Sequence, residues 1–143
     1  MIHALNSTDT LLFATAVATS ATQTANLDTK GADWATIRLA FLAEANTNAI
    51  GPTINLLESD DTVVTNFATV TAAIAGSDGY LASAAEVRYE VDLRKRKRYL
   101  RLQIAPGTAT NDGITVAAIA TLSRKEKTPE AHSELAGVAV VVT

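Results

Sequence analysis

Apolar and polar residues alternate with a period of two along much of the chain, and no long stretch carries the 3.6-residue period of an amphipathic helix. The pattern therefore predicts an all-β protein. The clearest run is Glu86 to Leu93, where Val87, Tyr89, Val91 and Leu93 fall on one side and Glu86, Arg88, Glu90 and Asp92 on the other. That is the signature of a strand with one buried face. A second run follows, in which Leu100, Leu102 and Ile104 alternate with Tyr99, Arg101 and Gln103. The cations Arg94, Lys95, Arg96, Lys97 and Arg98 lie between the two, so the sequence predicts a hairpin with a basic tip. Facing apolar residues across that hairpin sets Leu100 opposite either Leu93 or Val91, and each register places an acid, Asp92 or Glu90, across from Arg101.

Further strands are predicted over Leu11 to Ala18, Trp34 to Ala43 (with Ile37, Leu39 and Phe41 on one face), Thr53 to Glu58, Val63 to Val70 and Ile114 to Ser123. Turn-forming sequences separate them: Lys30-Gly31-Ala32-Asp33, Gly51-Pro52, Ser59-Asp60-Asp61, Gly76-Ser77-Asp78-Gly79, Pro106-Gly107 and Asn111-Asp112-Gly113. Many short strands between turns predict an antiparallel β-sandwich, jelly-roll-like, with extended terminal arms. The Ala-rich stretches Thr71 to Ala75 and Ser83 to Ala85 also fit a short helical turn. The chain reads as one domain, 1–143, with an N-terminal arm (1–10), a core (11–124) and a C-terminal arm or strand (125–143).

Two strands bear on assembly. Ile114 to Ser123 is apolar on both faces, with Val116, Ala118 and Leu122 on one and Ala117 and Ile119 on the other. Such a strand is covered twice, either at the centre of the sandwich or at a subunit interface. The run Gly137-Val138-Ala139-Val140-Val141-Val142-Thr143 is strongly β-prone and must pair. Val138, Val140 and Val142 belong either to the last strand of the same sandwich or to an arm laid on a neighbouring subunit.

Composition narrows the function classes. Of 143 residues, 48% are hydrophobic but only 5% aromatic, so the core is built from small groups. The absence of cysteine excludes a disulfide scaffold, a zinc-thiolate site and a thiol nucleophile, and it fits synthesis in a reducing cytoplasm. A net charge of -3 and a pI near 5.3 argue against broad affinity for nucleic acid or anionic membrane. Leu11 to Ala25, the longest weakly polar stretch, is interrupted by Thr15, Thr19, Ser20, Thr22, Gln23 and Thr24, so no membrane span is expected. With Asp9 and no cation ahead of Lys30, no export signal is expected either.

Candidate chemistry is sparse. The histidines, His3 and His132, sit in the terminal segments, and His132-Ser133-Glu134 has no nucleophile elbow or oxyanion-type loop before it. No catalytic residue and no cofactor are expected, and the chain does not read as an enzyme. The acidic turn Glu58, Asp60 and Asp61 is a weak candidate for Ca²⁺, against the alternative that these residues cap their own turn. Arg94 to Arg98 with Arg101 hold half of the 12 Lys and Arg. Three readings compete for them: a solvated hairpin tip with the acids Glu86, Glu90 and Asp92 nearby, a dock for an acidic protein surface, and a phosphate site. Trp34, opening the most apolar strand, reads as a core or interface anchor.

The order of these features resembles a known family. Leu56-Leu57-Glu58-Ser59-Asp60-Asp61 and Arg98-Tyr99-Leu100-Arg101, behind an Ala/Thr-rich strand and a Trp-led strand, look like the acidic turn and basic strand of tailed-phage head decoration proteins, also called cement or auxiliary capsid proteins. The resemblance implies a homotrimer on the outer surface of a phage capsid, binding the major capsid protein and fastening the lattice, with terminal arms among the contacts. The expected capsid or subunit contacts are Arg94, Lys95, Arg96, Lys97, Arg98, Arg101, Trp34, Val138, Val140 and Val142. A tail or baseplate structural protein and a glycan- or receptor-binding β-sandwich are the alternatives.

Overall fold

The computed structural model describes residues 7–13, 16–17, 22–42, 53–70, 85–105, 114–124 and 138–142. Their strands are β1 (Thr8–Phe13), β2 (Ala16–Val17), β3 (Gln23–Asp28), β4 (Trp34–Leu42), β5 (Thr53–Ser59), β6 (Ala68–Thr69), β7 (Ala85–Asp92), β8 (Tyr99–Ala105), β9 (Ile114–Ser123) and β10 (Val138–Val142). They form a six-stranded sheet in the order β1-β9-β4-β7-β10, with β2 also on β9, and a four-stranded sheet in the order β3-β8-β5-β6. The protein is an all-β sandwich of these two sheets.

Period-two alternation builds the core. The first sheet contributes Ala35, Ile37, Leu39, Val87, Tyr89, Val91, Val116, Ala118 and Ala120; the second contributes Leu27, Ile54, Leu56, Leu100, Leu102 and Ile104. On β9 two inward residues, Ala118 and Ala120, are alanine, which leaves room for the larger Leu and Ile side chains of the facing sheet. All pairings are antiparallel except that of β10, which runs parallel to β7 with Val138 opposite Val87 and Val142 opposite Val91. Of the two readings of the Val-rich run, β10 is thus a strand of the same sandwich.

The predicted hairpin does not form. β7 belongs to the first sheet, between β4 and β10, and β8 to the second, between β3 and β5. Both runs do have one apolar face, but those faces oppose each other across the core instead of lying side by side in one sheet. The chain changes sheet through a 3-10 turn, Leu93–Lys95, whose Leu93 is drawn into the core at 7% exposure. Asp92 caps this turn by accepting from the Arg94 amide at 3.1 Å, and the Leu93 amide donates to the Asp33 carbonyl at 2.8 Å. Arg101 accordingly stands beside Asn26 and Leu57, not beside an acid.

Other differences have local causes. Val63 to Val70 is not a continuous strand: a 3-10 turn, Val64–Asn66, precedes the short β6. The Asp61 carboxylate accepts from the Val63 amide (2.9 Å) and from Asn66 Nδ2 (2.8 Å), and such side-chain bonds compete with a sheet ladder. Leu11 to Ala18 is split into β1 and β2, with a register shift between Leu11 and Phe13. Thr8 to Thr10, expected in an arm, pair with Leu122 to Ala120. β3 carries no strong sequence signal because Leu27 is its one large apolar residue. Gly31 adopts φ +84° in the turn closed by the Ala32 amide on the Thr29 carbonyl (3.1 Å), a type II geometry that favours glycine. Residues 1–6, 71–84 and 125–137, with His3, His132 and most of the Ala-rich stretches, lie outside the described residues, as do the turns at 51–52, 106–107 and 111–113.

Candidate functional site

Four of the five cations at the basic corner between β7 and β8 pair with acids of the same chain. Arg94 pairs with Asp92 (Nη2–Oδ2 2.5 Å, Nε–Oδ1 2.8 Å) and stands over the Trp34 ring, 5.4 Å from its centroid. Arg96 lies 3.9 Å from Glu58, and Lys97 Nζ lies 3.5 Å from Asp60. The Lys97 amide also donates to Glu58 Oε2 at 3.2 Å. Arg98 forms a two-bond pair with Asp28 (2.7 and 3.0 Å) and covers the Tyr99 ring at 4.8 Å. Lys95 forms no ion pair among the described residues. The Arg98 carbonyl accepts from both the amide (2.9 Å) and the hydroxyl (2.6 Å) of Thr29, which ties the corner to the β3–β4 turn. Of the three readings of the basic run, this arrangement favours cations balanced by nearby acids.

The acidic turn is the other half of the same arrangement. Glu58 and Asp60 face the corner cations, and Asp61 is occupied by Val63, Asn66 and Ser59 Oγ (3.4 Å). Among the described residues, no group of three or more His, Cys, Asp or Glu side chains could hold a metal ion.

These pairings set a pH dependence. The Arg94 hydrogen bond holds the Asp92 carboxyl at about 2, against partial desolvation that pushes it up. Arg98 lowers Asp28, and Asn66 followed by the Val63 amide lowers Asp61. A carboxylate whose folded pKa is depressed stabilises the fold above its unfolded pKa, and that stability is lost as pH falls through the folded value. The melting temperature is therefore expected to fall as pH drops from about 4 towards about 2. An Asp92→Asn variant should start lower at neutral pH and fall less over that window, which a melting series on both proteins checks.

Arg101 is 5% exposed on the outer side of the second sheet. Its Nε donates to Asn26 Oδ1 at 2.7 Å, its Nη1 donates to the Val64 carbonyl at 3.4 Å, and its guanidinium stacks 3.6 Å from the Phe67 ring centroid. The guanidinium thus pins the β5–β6 loop down over β8 while the tip of that loop points out, with Val63 53% and Val64 71% exposed.

The outer side of the first sheet has two halves. On β4 and β7, Trp34 (1% exposed), Thr36 and Glu90 are buried. Glu90 accepts from Thr36 Oγ1 (2.8 Å) and Arg88 Nε (2.6 Å), and it forms an ion pair with Arg88. On β1 and β9, Leu11 and Ile119 stand opposite each other and are 61% and 46% exposed. Ala117 and Ala40 are exposed beside them. Arg38, next in the row after Ile119, is exposed and forms no ion pair among the described residues.

Several expected contact residues thus sit together at the corner: Arg94 to Arg98, with Trp34 beneath Arg94. Arg101 lies apart under its loop, and β10 is an edge strand of the first sheet. The open apolar row was signalled by Ala117 and Ile119, the second apolar face of Ile114 to Ser123. Val63 and Val64 were hidden by their resemblance to a strand. Among the described residues, no helix is long and apolar enough to cross a membrane. No protein-family model, curated protein or solved structure matches the chain.

Proposed function

We propose that the chain is a structural virion protein, a jelly-roll-like sandwich with terminal arms. In this reading it assembles as a homotrimer, binds the major capsid protein on the outer surface of a phage head and stabilises the lattice. The observation that carries this reading is the uncovered apolar row of Leu11, Ile119, Ala117 and Ala40 on a two-sheet scaffold. A strand that is apolar on both faces, with one left in water, points to association as its use. The repeated crossing of the chain between sheets, at β2–β3, β3–β4, β4–β5, β6–β7, β7–β8 and β8–β9, supports the jelly-roll-like description.

Four aromatic residues among the described ones speak against a glycan platform. Trp34 and Tyr89 are buried, and Tyr99 and Phe67 carry arginines on their rings. Four of the five corner cations already have acidic partners, so docking through them exchanges one acid for another and contributes orientation more than strength. Stabilisation follows from linkage. A protein that binds only the assembled lattice favours it by mass action, and trimeric valency multiplies weak contacts.

Binding is tested by adding the purified protein to heads assembled from the major capsid protein of the genome that encodes it, and sedimenting them. Saturable co-sedimentation, in copies that are multiples of three per site, is expected. Protein that stays in the supernatant at every concentration contradicts the reading.

A further inference from the structure

Each sheet ends in two edge strands, β1 and β10 in the first and β3 and β6 in the second. An edge presents unpaired backbone amides and carbonyls, and folded chains blunt it with bulges, shortness, charge or cover. Three of the four edges here are blunted. β1 has a register shift between Leu11 and Phe13 and carries Asp9. β6 is two residues long. β3 lies beside β1 on one flank of the sandwich and ends in Asp28, which holds Arg98.

β10 has none of these devices. Its five residues, Val138-Ala139-Val140-Val141-Val142, include no charge, proline or glycine, and they follow β7 without a shift from Val138 opposite Val87 to Val142 opposite Val91. All but Ala139 are β-branched, the residue type that suits a paired strand. Counted from the β1–β3 flank, the first sheet is five strands wide and the second four, so β10 closes the wider sheet on the opposite flank. Among the described strands, β7 is its one hydrogen-bonded neighbour. The side of β10 away from β7 is thus an open row of backbone donors and acceptors.

That row is self-complementary. A two-fold axis perpendicular to the sheet sets β10 antiparallel to β10 of a second copy and keeps the inner faces of both sheets on one side. Directly opposed residues must then belong to the same face, so both carry odd numbers or both even ones. The one register that uses all five residues centres on Val140. It sets Val138 opposite Val142 of the second copy, Ala139 opposite Val141, and Val140 opposite its own equivalent. Every opposed pair is aliphatic, and no like charges meet. A strand of an unrelated protein would be selected by pockets or charges along the edge, and five small aliphatic residues supply neither.

We infer that the free edge of β10 pairs antiparallel with β10 of a second copy, joining the two first sheets into one continuous sheet across a two-fold axis at Val140. Such a contact closes on two copies, so it does not build a three-fold ring. It goes beyond the trimeric reading and, within that reading, links copies of neighbouring trimers.

The chain has no cysteine, so an introduced thiol reports only on its own copies. Opposed residues of an antiparallel pair bring their Cα atoms to about 4.5–5.5 Å, a separation a disulfide spans. Mild oxidation of Val140→Cys is therefore expected to give a covalent dimer on a non-reducing gel. Val138→Cys and Val142→Cys should each link poorly alone and well when mixed, and Thr24→Cys on the β3 edge should stay single. Circular dichroism confirms that each variant is folded. The wild type supplies a readout without substitution: amide exchange at alternate residues of β10 should slow as protein concentration rises. Val140→Cys that links no more than Thr24→Cys, with β10 exchange independent of concentration, overturns the pairing. Exchange that slows only when phage heads are added assigns the edge to a capsid strand and also overturns it. Light scattering on the wild type keeps the trimer a separate question. A linked Val140→Cys pair in a protein never found at the mass of a trimer upholds the pairing and removes the trimer. A trimer whose Val140→Cys stays unlinked overturns the pairing and leaves the trimer standing.

Discussion

Leu102→Ala is expected to lower the unfolding free energy by about 2–5 kcal/mol, the range for emptying a leucine site in a packed core. Leu102 is 1% exposed at the centre of the second sheet, in register with Ala25 of β3 and Leu56 of β5. Its inward neighbours along β8, Leu100 and Ile104, are buried with it in the same core cluster. The same truncation at Leu11, 61% exposed, should change the stability of the monomer by no more than about 0.5 kcal/mol. Urea titration of both variants under dissociating conditions checks the pair. Equal effects at the two sites would contradict the assignment of an inner and an outer apolar face.

Arg101→Ala is expected to cost about 2–3 kcal/mol, from the lost charged hydrogen bond to Asn26 and the lost stacking on Phe67. The effect should also be local. Without the guanidinium, the Val64 carbonyl and the Phe67 ring lose their anchor on β8, so amide exchange should accelerate at Val63 and Asn66 more than in β8 itself. Arg101→Lys should recover little, because an ammonium cannot both stack on the ring and reach Asn26 with a planar fork. Arg101→Met should retain more of the stability by filling the same space. A fully stable Arg101→Ala protein with unchanged exchange in the loop would show that the β5–β6 loop is held by Asp61 alone.

Strand identity was legible where one face is buried and the other wet. Trp34 to Leu42 and Thr53 to Ser59 follow from their alternation almost to the residue, and Ile114 to Ser123 was legible as a strand apolar on both faces. Pairing was not legible, because alternation states that a strand has an apolar face without stating what lies beside it. The β7 and β8 runs satisfy a hairpin register and an opposed arrangement equally well. The choice is made by Leu93, which enters the core at the corner, and by Asp33, whose carbonyl takes the Leu93 amide from far along the chain.

The candidate surfaces were legible in part. Cations in a row are conspicuous in a sequence, but their partners Asp28, Glu58 and Asp60 come from other strands and turns, so the neutralisation of the corner could not be read from spacing. Arg101, grouped with that cluster by proximity in sequence, turns to the outer side of the second sheet because it alternates with Leu100 and Leu102. Ile119 was visible as the second apolar face of its strand. Its partner Leu11 was not, since the β1 register became known only with the fold.

The claim that this chain strengthens a capsid is tested most directly by the temperature at which heads release their contents. Under the proposed function, phage heads that lack the protein are heated alone and with increasing amounts of the wild-type chain. The account predicts a disruption temperature that rises with occupancy and levels off at saturation. A disruption temperature that stays constant while the sites fill would contradict it.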